Sequence, residues 1–400
     1  MHSHLYSFIV NQLVIPSMRV SPLAFLQVAF ASIVLARIFT MLWLLRPPFW
    51  AKAWAIFSLL SPVTSVMAIY IIGDSIFAFA MLGLLFETWL IAFRGKSTVI
   101  GWLLIACYSP LALFSRENGK ILAILLPALT WSVYKRGEWK ILSGYLLSCL
   151  LLGSILSTWL VPGERHPVIF PVAAQEMANF ARPLAEQSAG AGLSEESKKF
   201  LARIGKTPQR LADFYHPYNW GYVGIVPEGP QLYYLKPNEV LELNKLFLTR
   251  ELWKNLPAFF GHRVEVFLAM SLAKYENADP ALRVAILDAY GVRLNDIVSS
   301  RLPAAIKSTM DKLYKVGYRN RWLFWNVLPA SFFLCFLILQ GGWWRPPARI
   351  VLIPLVVQML GIFCLAPAAD HRYVFPLFLS VPLLLLVWKA RQQMDQPHLT

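Results

Sequence analysis

Residues 370–390 read DHRYVFPLFLSVPLLLLVWKA. The run 373–388 is apolar and Lys389 closes it. A helix of that composition, with its flanks, is a membrane span. Asp370, His371, Arg372 and Tyr373 stand at its mouth. Ionisable groups at that depth are costly to desolvate, so they pair with one another or serve a site. A plain alternative is a polar loop at the headgroup level, anchored by Arg372 and Tyr373. Where the other ionisable groups fall decides between the two.

Working outward, apolar runs of about 17–22 residues recur along the chain, the length that crosses a bilayer core. The 400 residues are 57% hydrophobic and only 15% charged, against about a quarter charged in soluble domains. The chain therefore reads as an all-α polytopic membrane protein. Nine spans are expected, at 22–45, 53–72, 73–93, 98–114, 118–134, 141–161, 322–340, 349–367 and 373–388. The division is an N-terminal membrane domain over 1–162, a mainly helical domain over 163–321, and a C-terminal membrane segment with its tail over 322–400.

The net charge of +15 comes with no compact basic tract, so nucleic acid is not an expected partner. Basic residues occupy alternate connections: Arg46 and Lys52, Arg94 and Lys96, Lys135 with Arg136 and Lys140, Arg345 and Arg349, then Lys389 and Arg391. By the positive-inside rule these are cytoplasmic. The loops at Asp74, Arg116 and Asp370, and all of 163–321, are then exoplasmic. An exoplasmic N-terminus before nine spans calls for a preceding signal or span, so a further span is expected upstream of residue 1. The cysteines, Cys107, Cys149, Cys335 and Cys364, lie in apolar runs without a C-x-x-C. They suit neither a disulfide framework nor a zinc site.

The long polar region has helix punctuation. Thr207-Pro208 reads as an N-cap with proline at the first helical position. Thr249 starts a helix that Pro257 kinks. Pro280 begins an amphipathic run ending at Gly291. Residues 215–222, YHPYNWGY, suit ring stacking on sugars, lying on the headgroups, or ordinary packing.

Only six acids lie outside 163–321: Asp74, Glu87, Glu117, Glu138, Asp370 and Asp395. Asp74, Glu117 and Asp370 fall at exoplasmic span ends, and Arg116, Lys120 and Arg372 fall at the same level. Such a cluster suits a phosphate-bearing headgroup, since guanidinium groups fork onto phosphate oxygens. A carboxylate there can act as general base or metal ligand. Glu87 lies deep in the third span and Arg37 at similar depth in the first, so an ion pair between them is expected to hold the two in register; the alternative is that Arg37 snorkels to the cytoplasmic face. The P-loop, H-E-x-x-H and G-x-S-x-G fingerprints are absent from the sequence.

Three elements resemble the polytopic GT-C glycosyltransferases, the superfamily of protein O-mannosyltransferases and aminoarabinose-type lipid A transferases. They are Gly73-Asp74-Ser75-Ile76-Phe77-Ala78, Phe114-Ser115-Arg116-Glu117-Asn118-Gly119, and Asp370-His371-Arg372-Tyr373-Val374-Phe375-Pro376. The segment Leu252-Trp253-Lys254-Asn255-Leu256-Pro257 is similar to the stretch ahead of the return to the membrane. The resemblance implies a GT-C-like fold in a bacterial inner membrane. It implies a polyprenyl-phosphate sugar as donor and transfer to an exoplasmic glycan, lipid or protein, with inversion. Asp74 would be the catalytic acid residue. Arg116, Asn118 and Lys120 would meet substrate from one loop, and Asp370, His371, Arg372 and Tyr373 from another. A divalent metal is admissible at the acidic site; its ligands are not indicated. The family carries its key acid in the first exoplasmic loop, and residues 1–21 contain no Asp or Glu. Either that loop lies upstream of this chain or transfer has been lost. The rival readings are a lipid-linked glycan flippase or polymerase partner, and a non-catalytic envelope protein.

Overall fold

A computed structural model describes residues 21–69, 73–160, 167–183, 190–272, 304–342 and 344–394. Apolar segments in hydrocarbon must satisfy their backbone groups internally, which selects helices. Among the described residues there is accordingly no strand beyond one isolated bridge, Asn219 to Ala368. Among the described residues six helices are long and apolar enough to cross a membrane: Leu23–Leu44, Gly73–Arg94, Arg136–Leu156, Arg321–Gly341, Pro346–Leu365 and His371–Met394. The chain is an all-α integral membrane protein.

The remaining expected spans are shorter helices. The expected span 53–72 is broken at Ser61-Pro62, as its sequence indicates: the backbone turns at Ser61, where ψ is 135°, between Phe49–Leu60 and Pro62–Ile69. Pro62 has no N–H to continue the first helix. Thr64 Oγ donates to Ser58 O at 2.6 Å and braces the corner. The run 118–134 opens as a 3₁₀ turn, Glu117–Ile121, and only Leu122–Thr130 is α-helical. Val99–Phe114 is a full helix of 16 residues, started by Thr98, whose side chain accepts from Gly101 N.

The chain divides into two compact units, one of residues 1–162, 300–360 and 372–400, the other of 163–299 and 361–371. The expected boundary at 321 is therefore displaced. The Ala304–Arg319 helix packs on Pro62–Ile69 in the first unit, where Gly317 leaves no room for a Cβ beside Pro62.

Within the first unit, Gly73–Arg94 and His371–Met394 are the enclosed spans, 89% and 83% buried over their apolar windows. Phe79 meets Phe375 edge-on, 5.8 Å between ring centres. Gly83 lets the Tyr108 ring lie against the helix backbone; an added Cβ would come within 2.7 Å of that ring. Arg136–Leu156 is only 11% buried, as a lipid-facing span would be. The two enclosed spans carry Asp74 and Arg372 in their first turns.

The second unit packs around Phe170–Ala181, eleven of whose twelve residues are buried. Met177, Phe180, Phe200, Leu243 and Phe247 fill its core. Thr207 caps Pro208–Asp213 by accepting from Arg210 N. Thr249 does not start a helix. It sits inside a continuous turn run from Pro237 to Lys254, with its hydroxyl on Lys245 O at 2.7 Å. Pro257 kinks nothing; it occupies the first turn of Leu256–Ser271, where its missing N–H has no partner to lose. The expected helix from Pro280 to Gly291 lies outside the described residues.

Candidate functional site

Asp74 stands in the first turn of its helix, where free N–H groups favour a carboxylate. Arg116 follows the end of Val99–Phe114 in an extended conformation, φ −146° and ψ 149°. That turn points its guanidinium back to Asp74: Nε lies 2.8 Å from Oδ1. Arg372 Nη1 lies 3.9 Å from the other oxygen, Oδ2. The Tyr373 ring lies 4.8 Å from the Arg116 guanidinium carbon and 5.7 Å from that of Arg372. One carboxylate, two guanidinium groups and an aromatic face thus share one spot, with formal charge +1.

The cluster is partly enclosed. The Asp74 side chain is 14% exposed and that of Arg116 20%. Among the described residues, Arg116 Nη1 and the neighbouring Ser75 and Ser115 hydroxyls are buried without a hydrogen-bond partner. Buried donors of this kind carry a desolvation cost that a polar ligand or water relieves.

The other candidates lie differently. Glu117 pairs with Lys120 one turn away, so both are occupied locally. Asn118 Nδ2 donates to Gln358 Oε1 at 2.8 Å. Asp370 and His371 belong to the second unit, where His371 Nδ1 donates to Met270 O at 2.8 Å and the Asp370 N–H to Ala368 O. Glu87 is buried and bound by a guanidinium fork: Arg37 Nε bonds Oε1, and Nη2 reaches Oε2 at 2.9 Å. The Phe86 ring lies 6.0 Å from the same guanidinium.

A second ionic cluster in the second unit had no signal in the sequence. Glu176, His262 and Arg263 are 0%, 3% and 0% exposed in their side chains. His262 Nδ1 is 2.7 Å from Glu176 Oε1, and Nε2 donates to Pro217 O at 2.7 Å. Arg263 binds the same carboxylate oxygen and donates through Nη1 to Ala366 O at 2.8 Å. Burial alone would raise the Glu176 pKa; the charges of Arg263 and His262, with hydrogen bonds from His262 and Asn179, outweigh it and hold the carboxyl below its ordinary value. Tyr215 lies edge-on to His262, and burial beside the Glu176 charge pushes its phenol up. This buried network joins four stretches of chain, at Glu176, Tyr215–Pro217, His262–Arg263 and Ala366.

The YHPYNWGY segment is likewise part of that packing. His216 stacks on Tyr222 at 4.8 Å and Trp220 meets Phe170 edge-on. Tyr218 donates to Glu265 at 2.7 Å, which pushes its phenol up to about 12. Among the described residues no group of three or more His, Cys, Asp or Glu is placed to hold a metal. No family model, curated protein or solved structure matches the chain.

Proposed function

We propose that this chain is a GT-C-like membrane glycosyltransferase of nine spans in a bacterial inner membrane. It moves a sugar from a polyprenyl-phosphate donor to an acceptor at the exoplasmic face. The observation that carries the reading is the Asp74–Arg116–Arg372–Tyr373 cluster at the mouths of two enclosed spans. The motif resemblance of those same stretches supports it.

In this reading Arg116 and Arg372 take the phosphodiester oxygens of the donor, whose single negative charge matches the site's excess positive charge. An acceptor hydroxyl oxygen attacks the anomeric carbon while the bond from that carbon to the phosphate oxygen breaks. The departing polyprenyl phosphate carries the electron pair away, and both guanidinium groups stabilise the charge that develops on it. Asp74 takes the hydroxyl proton. Before the donor arrives, the carboxylate keeps the two cations together.

The test is thermal melting of the detergent-purified protein with and without a short polyprenyl phosphate, alongside a transfer assay. A ligand that binds only the folded state raises the melting point. The expected rise in wild type disappears in Arg372→Ala. Unchanged melting responses and transfer in Asp74→Asn, Arg116→Ala and Arg372→Ala would sink the reading.

A further inference from the structure

We propose that the cytoplasmic-side end of the last span is a second phosphate site, one that holds the headgroup of an anionic phospholipid. It does not depend on the transferase reading. Residues 372 and 391 are nineteen apart on the run His371–Met394, which at 1.5 Å per residue separates their ends of the span by about 28 Å.

A surface cavity of about 340 Å³ is lined by Gln340, Trp388, Arg391 and Gln392. Arg391 is fixed at its wall, Nη2 donating to Gln340 O at 2.5 Å. Lys389 Nζ reaches Gln392 Oε1 at 3.5 Å, which brings a second cation beside the lining. Gln393 Nε2 donates to Leu45 O at 3.3 Å and Trp388 packs on Trp50, 5.0 Å between rings. The cavity is thus lined from two chain segments, and a third, carrying Leu45 and Trp50, packs against them.

On the described segments around it the charge has one sign; Asp395, which follows them, lies outside the described residues. Segments 44–54, 340–349 and 386–394 contain Arg46, Lys52, Arg345, Arg349, Lys389 and Arg391, and no Asp or Glu. Exposed indoles stand on the same segments, Trp50 at 48% and Trp344 at 70%; tryptophans collect at the headgroup level of a bilayer. Just ahead of Gln340, Phe336 and Leu339 are 45% and 86% exposed. A phosphate held by Arg391 and Lys389 would have its acyl chains beside that apolar track. A soluble anion has no use for the track, which favours the lipid.

The experiment titrates the full chain in neutral detergent with phosphatidylglycerol or with phosphatidylcholine of the same acyl chains, and reads the melting point. Phosphatidylglycerol is expected to raise it saturably and phosphatidylcholine to leave it unchanged. Arg391→Gln and Lys389→Gln each weaken the response roughly fivefold, the effect of one cation near an anionic surface. If Arg391→Gln melts lower without lipid, Lys389→Gln carries the comparison, since its Nζ gives up only the Gln392 contact. Equal responses to both lipids overturn the proposal. So does a response lost in Arg372→Ala but intact in both tail variants, which places the lipid at the other face. Inorganic phosphate reproducing the full shift reassigns the ligand to a soluble anion and overturns the lipid.

Discussion

Arg116 Nε donates to Asp74 Oδ1 across 2.8 Å and lays its guanidinium carbon 4.8 Å from the Tyr373 ring. The bond and the ring fix the same planar group from two sides, which a lysine cannot reproduce. Arg116→Lys should therefore keep the local charge and still lose binding of polyprenyl phosphate. Arg116→Ala and Arg372→Ala should each lower transfer roughly 100-fold, the usual loss when one charge-stabilising donor is removed. Single-turnover transfer with saturating donor checks it; a loss confined to KM would mean the guanidinium groups only bind.

The Arg37–Glu87 pair should be worth more to the fold than to any reaction. Glu87 is 1% exposed, so Arg37→Ala strands a charge in the bundle and should cost about 3–5 kcal/mol. Glu87→Gln should cost less, because no charge is left without water. In detergent melts, the double exchange Arg37→Glu with Glu87→Arg should recover part of what either single exchange loses. Equal losses in all three would show that the two residues act separately.

Glu176 sets an acid limit for the second unit. Its folded-state pKa lies below the ordinary 4.5. The stability it contributes is therefore fully present above the unfolded-state value and is lost as pH falls through the folded one. Near neutral pH this contribution is flat; it should fade as pH falls below the ordinary carboxylate value. Glu176→Gln should remove that part of the acid dependence and lower stability at neutral pH, since Arg263 loses its counter-charge. A tyrosine or tryptophan signal from the second unit, followed against pH, reads both.

Gly119 has no room for a side chain: a Cβ there would lie 2.0 Å from Ala112 O and 3.0 Å from Phe77. Gly119 N also donates to Arg116 O at 3.1 Å. Gly119→Ala should push the Glu117–Ile121 turn outward, cost about 1–3 kcal/mol, and weaken the response to polyprenyl phosphate through Arg116. Gly137→Ala, with nothing within 4 Å of the added carbon, should be neutral or stabilising by up to about 1 kcal/mol. Equal melting shifts for the two would contradict this.

Charges are legible in the membrane part of the sequence because they are scarce there. With six acids outside 163–321, the few at span ends or mid-span have few partners to choose from. The meetings of Asp74 with Arg116 and of Arg37 with Glu87 could be anticipated on that ground. Sixteen acids lie within 163–321, and there scarcity selects nothing. Glu176 finds His262 across 86 positions, with no spacing to announce it. Span length was legible from hydropathy; the interruptions were legible only where a proline made one, as at Pro62. The 3₁₀ turn at Glu117–Ile121 has no such marker, and Thr249 looked like a cap because a threonine bonded to the carbonyl four residues back has the same local sequence as one that starts a helix.

The unit formed by 163–299 is completed by 361–371. Trp220 N donates to Pro367 O, Ala369 N to Tyr218 O, and Arg263 Nη1 to Ala366 O. Arg263 thus leaves the ribosome 103 residues before its carbonyl partner, a wait of roughly 5–20 s at ordinary elongation rates. Over that interval the nascent unit holds a buried cation with one of its hydrogen bonds unmade. Its maturation is a late event of biogenesis, and a message cut short before residue 361 yields a chain whose polar domain never closes.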